Sequence, residues 1–174
     1  MTNEKAITYI SYLKVDELLE LQQPESDGEH DEMLFIIIHQ TYELWFKQML
    51  HEIAELQKQL EHGDTHRSLA ILGRVRTIMK TCVSQLDILE TMTPLQFNTF
   101  RSKLQSSSGF QSAQFREFEA VLGRRDQAGA SADKHSGMGM AEHLIAGSPA
   151  RARVEAAMQR PSLWDSNLRY LASR

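Results

Sequence analysis

A single cysteine, Cys82, in 174 residues excludes an intramolecular disulfide framework and fits a reducing compartment. Long hydrophobic runs are missing too: the longest, Met33 to Ile38, is far too short to cross a bilayer. The opening MTNEK leads into mixed polar sequence rather than an apolar stretch, so a cytoplasmic protein without a signal peptide is expected. Charge of one sign is not concentrated. With 19 Lys and Arg against 23 Asp and Glu, the formal net charge is −4 and the basic residues are scattered. That leaves no stripe for nucleic acid and no polybasic patch for a membrane surface. Also lacking are a Glu-x-x-His pair, an HExxH helix, a CxxC pair and a phosphate-cradling glycine loop. No β alternation and no internal repeat is visible.

What is present is the helical period. A chain of this length is about one domain, long enough to bury a core, and the expected architecture is all-α. It is a helical bundle built on a long antiparallel helix hairpin, occupying residues 1–174 as a single domain. Residues 1–28 form an N-terminal segment with an apolar patch (Ile7, Tyr9, Ile10, Tyr12, Leu13) and a short helix capped by Asp16. Pro24, Ser26, Asp27 and Gly28 break it. The helical core spans 29–122. Its first helix runs from about Glu29 to Glu61, along the line Leu34, Ile38, Thr41, Trp45, Gln48, Glu52, Glu55 and Gln59. Gly63 and Asp64 turn the chain into a second helix, with Leu69, Leu72, Val75, Met79, Val83, Leu86 and Leu89 as its expected core stripe. Thr93-Pro94 opens a short helix to about Leu104, QSSSG forms a loop, and Phe110 to Leu122 is helical until Gly123. Residues 123–148, rich in Gly, Ala and Ser, read as a flexible connection. Pro149 and Pro161 start two C-terminal helices in 149–174.

Two constellations could carry chemistry. The segment HDEMLFIIIHQTYELWFK places Phe35, His39, Tyr42 and Phe46 on one helical face. An imidazole on an aromatic stripe suits a flat, mostly apolar ligand; a core histidine bonded to a neighbouring helix is the alternative. In the second, Phe97, Arg101 and Leu104 share a face and Ser108-Gly109 follows. An arginine there needs a charge partner. A ligand carboxylate held bidentately would serve, as would Glu117 or Glu119. Elsewhere, His62 and His66 straddle Gly63 and read as surface turn histidines. His135, Met138, Met140 and His143 fall in the flexible stretch, and Cys82 beside Val83 reads as an inert buried thiol.

In these residues the chain resembles the first half or more of the tryptophan 2,3-dioxygenase family, haem enzymes that open the indole ring of L-tryptophan. The likeness runs through TYISYLKVDELLELQQPES, HDEMLFIIIHQTYELWFKQMLHE, LETMTPLQFNTFRSKLQSSSGFQSAQFREFE and PSLWDSNLRYLASR, which cover most of the chain in order. The resemblance implies that Phe35 packs on the indole, that His39 is the distal histidine facing the indole N–H, and that Arg101 grips the substrate carboxylate. It makes Leu104, Ser108 and Gly109 lining residues of the distal haem pocket. Phe97 stands where the family has Tyr or Phe. Tyr9, Tyr12 and Leu13 match a segment that reaches into a neighbouring subunit of a homotetramer. The partners implied are L-tryptophan and O2, with N-formylkynurenine as product. No metal ligand is expected among these residues, because the resemblance places the proximal histidine and a Gly-Thr loop beyond residue 174. Two alternatives stay open: a short relative that binds indoles without catalysis, and a helical interaction module completed by a second polypeptide.

Overall fold

The computed structural model describes residues 6–124 and 144–174, and every helix foreseen within them is present. Elements α1 (Tyr9–Leu13) and α2 (Val15–Leu19) form the N-terminal segment. The hairpin is α3 (His30–Glu61) and α4 (Thr65–Leu89). Then come α5 (Pro94–Arg101), α6 (Ala113–Leu122), α7 (Pro149–Gln159) and α8 (Leu163–Ala172). Among the described residues there is no strand, and no helix is long and apolar enough to cross a membrane. Residues 125–143, most of the expected connection and including His135, Met138, Met140 and His143, lie outside the described residues.

Local chemistry explains the boundaries. Asp64 caps α4 by accepting the Arg67 N–H, after a turn in which Gly63 takes φ +74°. Thr93 and Gln96 close a capping box on α5, with Pro94 at the first helical position. Ser112, Ser148 and Ser162 cap α6, α7 and α8. One expectation fails here. Asp16 is not a cap, since it lies inside the first turn of α2 and the cap position belongs to Lys14 in the left-handed region.

The core runs along the hairpin. Met49, Ile53, Leu56 and Leu60 of α3 meet Ile71, Val75, Ile78 and Cys82 of α4, with Phe118 of α6 closing the end. The seam is off the line read from sequence. Glu55 and Gln59 flank it, which is why that line turned polar. The α4 stripe also needs correction, since Leu69 and Val83 are each 63% exposed and Leu72, Met79 and Leu86 are exposed too. Of that stripe Val75 belongs to the seam, where Ile71, Ile78 and Cys82 complete the face that packing on α3 buries. A polar clasp secures the pair: Glu52, almost fully buried, receives Arg74 on both carboxylate oxygens (2.9 and 2.8 Å) and the Gln48 amide at 2.7 Å.

A second small cluster joins α6 and α7 through Ala120, Val154 and Ala157. Leu144, from the end of the expected connection, is buried in it. Helix α8 lies back on α3, where Gln57 donates to Ser166 Oγ and to the Pro161 carbonyl. Arg174 stacks on Tyr170 and reaches the Gly63 carbonyl, tying the last turn to the hairpin tip.

Candidate functional site

The start of α3 is held by a carboxylate that sequence reading passed over. Glu32, 1% exposed, accepts the N–H groups of Glu25 and Ser26 at 2.9 Å each and the Ser26 hydroxyl. Burial works against its charge. The Ser26 hydroxyl, the two amides and the nearby charge of Lys103 outweigh that and hold the carboxyl below its ordinary value. A second anchor is Gln40, which meets Gln22 and donates to the Leu21 carbonyl. Together they fix the approach of the chain to the helix that carries Phe35 and His39.

Phe35 and His39 sit one turn apart, both half-buried, with ring centroids 4.1 Å from each other. His39 Nδ1 lies 2.7 Å from the Phe35 carbonyl oxygen. A carbonyl can only accept, so Nδ1 carries a proton, and in the neutral tautomer so selected Nε2 is the acceptor. The bond is internal to α3, so the expected alternative of a histidine tied to a neighbouring helix is not what this contact shows. Farther along, Tyr42 stacks near Phe46 and donates its hydroxyl to the Cys82 carbonyl at 2.9 Å. Burial raises both that phenol and the Cys82 thiol, in keeping with a buried, unreactive cysteine.

Helix α5 delivers the facing wall. The Phe97 ring is 5.7 Å from Phe35, and Phe100 is also 5.7 Å from Phe35 and edge-on to Phe97 at 5.4 Å. Phe100 is fully buried. The structure therefore brings Phe35, His39 and Phe97 together over a residue that was missed. Its signal was present: three aromatic or imidazole positions need a floor, and Phe100 is one turn from Phe97.

The expected core face of Phe97, Arg101 and Leu104 is corrected. The α-helix ends at Arg101 and tightens into a 3-10 turn over Ser102–Leu104, which takes Leu104 off the i+7 position that an α-helix would give it. Arg101 is exposed, and its Nη1 donates to the Gln105 carbonyl at 3.1 Å. Among the described residues it forms no ion pair. The two glutamates considered for it are engaged elsewhere, Glu119 with Arg116 and Arg124, and Glu117 with Arg153 at 3.7 Å. A neutral carbonyl steadies this guanidinium without cancelling its charge, so it can still receive a carboxylate.

Leu104 is half-buried, whereas Ser108 and Gly109 are exposed in the loop that follows. Gln105 enters that loop at φ +50°, a conformation rare for a residue with a side chain. The Ser108 N–H donates to the Gln111 side chain at 3.2 Å, and a 3-10 turn spans Gly109–Gln111 before α6 begins. Tyr9, Tyr12 and Leu13 are not brought to this cluster. All three are exposed, and α1 and α2 touch only each other among the described elements. His62 and His66 are exposed at the hairpin turn, and His62 bonds back to the Lys58 carbonyl.

Phe35, His39 and Phe97 thus form one half-buried cluster, and Arg101 stands exposed about one turn beyond Phe97 on α5. A profile of the family described as tryptophan 2,3-dioxygenase matches residues 1–145. The tryptophan 2,3-dioxygenase of Anaeromyxobacter sp. (strain K) is 56% identical over 169 residues, covering 97% of this chain and 59% of that protein. That of Herpetosiphon aurantiacus is 54% identical over 168 residues, 96% of this chain and 60% of its own length. The enzyme of Nocardioides sp. is 44% identical over 172 residues, 96% of the chain and 61% of its own. The chain thus spans about three fifths of the length of these relatives. Over that span the match is nearly end to end, and the chain belongs to the tryptophan 2,3-dioxygenase family.

Proposed function

We propose that residues 1–174 form an all-α part of a haem-dependent tryptophan 2,3-dioxygenase and supply its substrate-facing, distal side. The reaction is L-tryptophan plus O2 to N-formylkynurenine, in which the indole C2–C3 bond breaks and both oxygen atoms enter the product. The observation that carries this reading is the Phe35–His39–Phe97 cluster with Nε2 of His39 left as an acceptor.

The residues present fit one face of a haem. Phe35 and Phe97 form a half-buried apolar wall, Leu104 is half-buried in the turn after α5, and Ser108 and Gly109 are small and exposed in the loop that follows. No axial ligand is assigned to this chain. Haem, when bound, supplies the activation of O2 that no side chain here provides. The chain's own residues bind and orient. Phe35 and Phe97 offer the indole one apolar aromatic wall, Nε2 of His39 accepts the indole N–H, and Arg101 pairs with the carboxylate. With Phe97 in place of a tyrosine, the carboxylate receives no phenol hydroxyl at that position. Tyr9, Tyr12 and Leu13, unpacked within one chain, are proposed to complete the site of a neighbouring subunit in a homotetramer in the cytoplasm.

A second reading is favoured by one observation, the exposed apolar stripe of α4 (Leu69, Leu72, Met79, Val83, Leu86). A face of that kind suits a helical module that associates with a second polypeptide, binding an indole without turning it over. Titration of the 174-residue chain with haem and then L-tryptophan, followed in the Soret band, separates the two. A saturable shift at one haem per chain that moves again with tryptophan supports the dioxygenase site. Tryptophan binding without haem supports the module.

A further inference from the structure

Four residues beyond His39 on the same face of α3 stands a carboxylate whose partners are unusual for a helix-surface glutamate. Glu43 is half-buried and forms no ion pair among the described residues. Its Oε1 accepts the Ser112 hydroxyl at 2.5 Å, and its Oε2 accepts the Gln114 amide at 2.8 Å. The same Gln114 amide also donates to the Glu43 backbone carbonyl at 2.9 Å. A hydroxyl and an amide from one short segment satisfy the charge, and the positive end of α6 adds to them.

Ser112 is what makes this arrangement directional. As the cap of α6, its Oγ accepts the Phe115 N–H at 3.1 Å, so its own proton must go to an acceptor, and Glu43 is that acceptor. The bonds therefore run one way, from the Phe115 amide through the Ser112 hydroxyl to the Glu43 carboxylate. Directly before Ser112 the chain makes its 3-10 turn: the Ser112 N–H donates to the Gly109 carbonyl at 3.1 Å and the Gln111 N–H to the Ser108 carbonyl at 2.9 Å. The ring of Phe115 packs on Phe46 of α3 at 5.3 Å, fixing the same junction from its apolar side. At the other end the loop is held locally, by the Ser107 N–H and hydroxyl on the Leu104 carbonyl and by Arg101 on the Gln105 carbonyl, all within four residues along the chain. Glu43 thus ties the end of the Ser108-Gly109 loop that leads into α6 to helix α3.

We propose that Glu43 is a positioning residue, setting the Ser108-Gly109 loop in register with the His39 face of α3. The claim rests on the indole-site reading above and deepens it. Glu43 touches neither substrate nor cofactor; it acts through Ser112.

The test compares the wild-type chain with Glu43→Ala, Glu43→Gln and, from the loop side, Ser112→Ala. Amide hydrogen exchange is read over 105–112 and over the hairpin, and L-tryptophan affinity is read on the haem-loaded chain. Loop protection in Glu43→Ala is expected to fall about tenfold or more while the 45–60 amides keep theirs. L-tryptophan affinity is expected to weaken about tenfold, the equivalent of a lost charge-assisted hydrogen bond. Glu43→Gln, which keeps one acceptor, falls between, and Ser112→Ala repeats the loop effect should Glu43→Ala fail to fold. Unchanged loop protection in Glu43→Ala or Ser112→Ala overturns the proposal. So does a loosened loop with tryptophan affinity kept. A wild-type chain that binds neither haem nor tryptophan removes the indole-site reading and this proposal with it, a result distinct from variants that bind as wild type does.

Discussion

The backbone carbonyl of Phe35 takes the Nδ1 proton of His39 at 2.7 Å while the two rings lie 4.1 Å apart. One residue thereby fixes both the tautomer and the tilt of the other. The hydrogen bond is local to α3 and survives loss of any other helix, so the acceptor Nε2 is prepared before any ligand arrives. Replacing His39 by Ala should therefore weaken L-tryptophan binding by about 1–3 kcal/mol, the cost of an unpaired buried donor. The melting temperature should barely move. A variant that chiefly loses thermal stability would make His39 a packing residue instead.

Arg101 is exposed and, among the described residues, donates to the Gln105 carbonyl and forms no ion pair. For Arg101→Ala, folding stability should stay within about 0.5 kcal/mol, as for other surface changes. Affinity for L-tryptophan should drop by about 2–5 kcal/mol if its carboxylate pairs there in a dried site. Calorimetric titration decides it, and tryptamine, which lacks the carboxylate, should lose little from the same substitution.

Acid should loosen the entry to α3 first. The Glu32 carboxyl is held below its ordinary value by the Ser26 hydroxyl, two amides and Lys103. A carboxyl depressed in the folded state contributes stability that is complete above its unfolded value and is lost as pH falls through its folded value. Denaturant unfolding of the wild type should thus weaken below the unfolded carboxylate range, and Glu32→Gln should flatten that slope. At neutral pH the Gln variant should be about 1–3 kcal/mol less stable, with loop amides left unpaired.

The two apolar faces of α4 should differ sharply in energy. Ile78→Ala removes a buried side chain from the seam with α3 and should cost about 2–5 kcal/mol. Leu69→Ala, on the exposed face, should fall within about 0.5 kcal/mol in the 174-residue chain. Equal costs in urea unfolding would mean that the outer face is covered in solution.

Much of the helical framework was legible. Thr93-Pro94, Ser148-Pro149 and the Gly63-Asp64 turn mark their boundaries with side chains that bond within three residues, so no distant contact is needed to read them. Phe35 and His39 were legible for the same reason. Glu43 was not, because its partners are far away in the chain; Phe100 had only its place one turn from Phe97 as a signal, and Glu32 binds backbone amides of a preceding loop that no helical period marks. Glu43 meets Ser112 and Gln114 about seventy residues away, and Phe100 is defined by a ring on another helix.

By itself, then, the amino-acid order determined that the chain is helical, where most helices start and stop, and which residues share a helical face with His39. These are short-range matters of periodicity and capping. Tertiary structure alone decided which of two apolar faces of α4 is buried, that Arg101 is exposed without an ion pair among the described residues, and that Phe97 meets Phe35. The reason is physical: burial is won by whichever face finds a complementary surface, and that surface is built by residues far away in sequence.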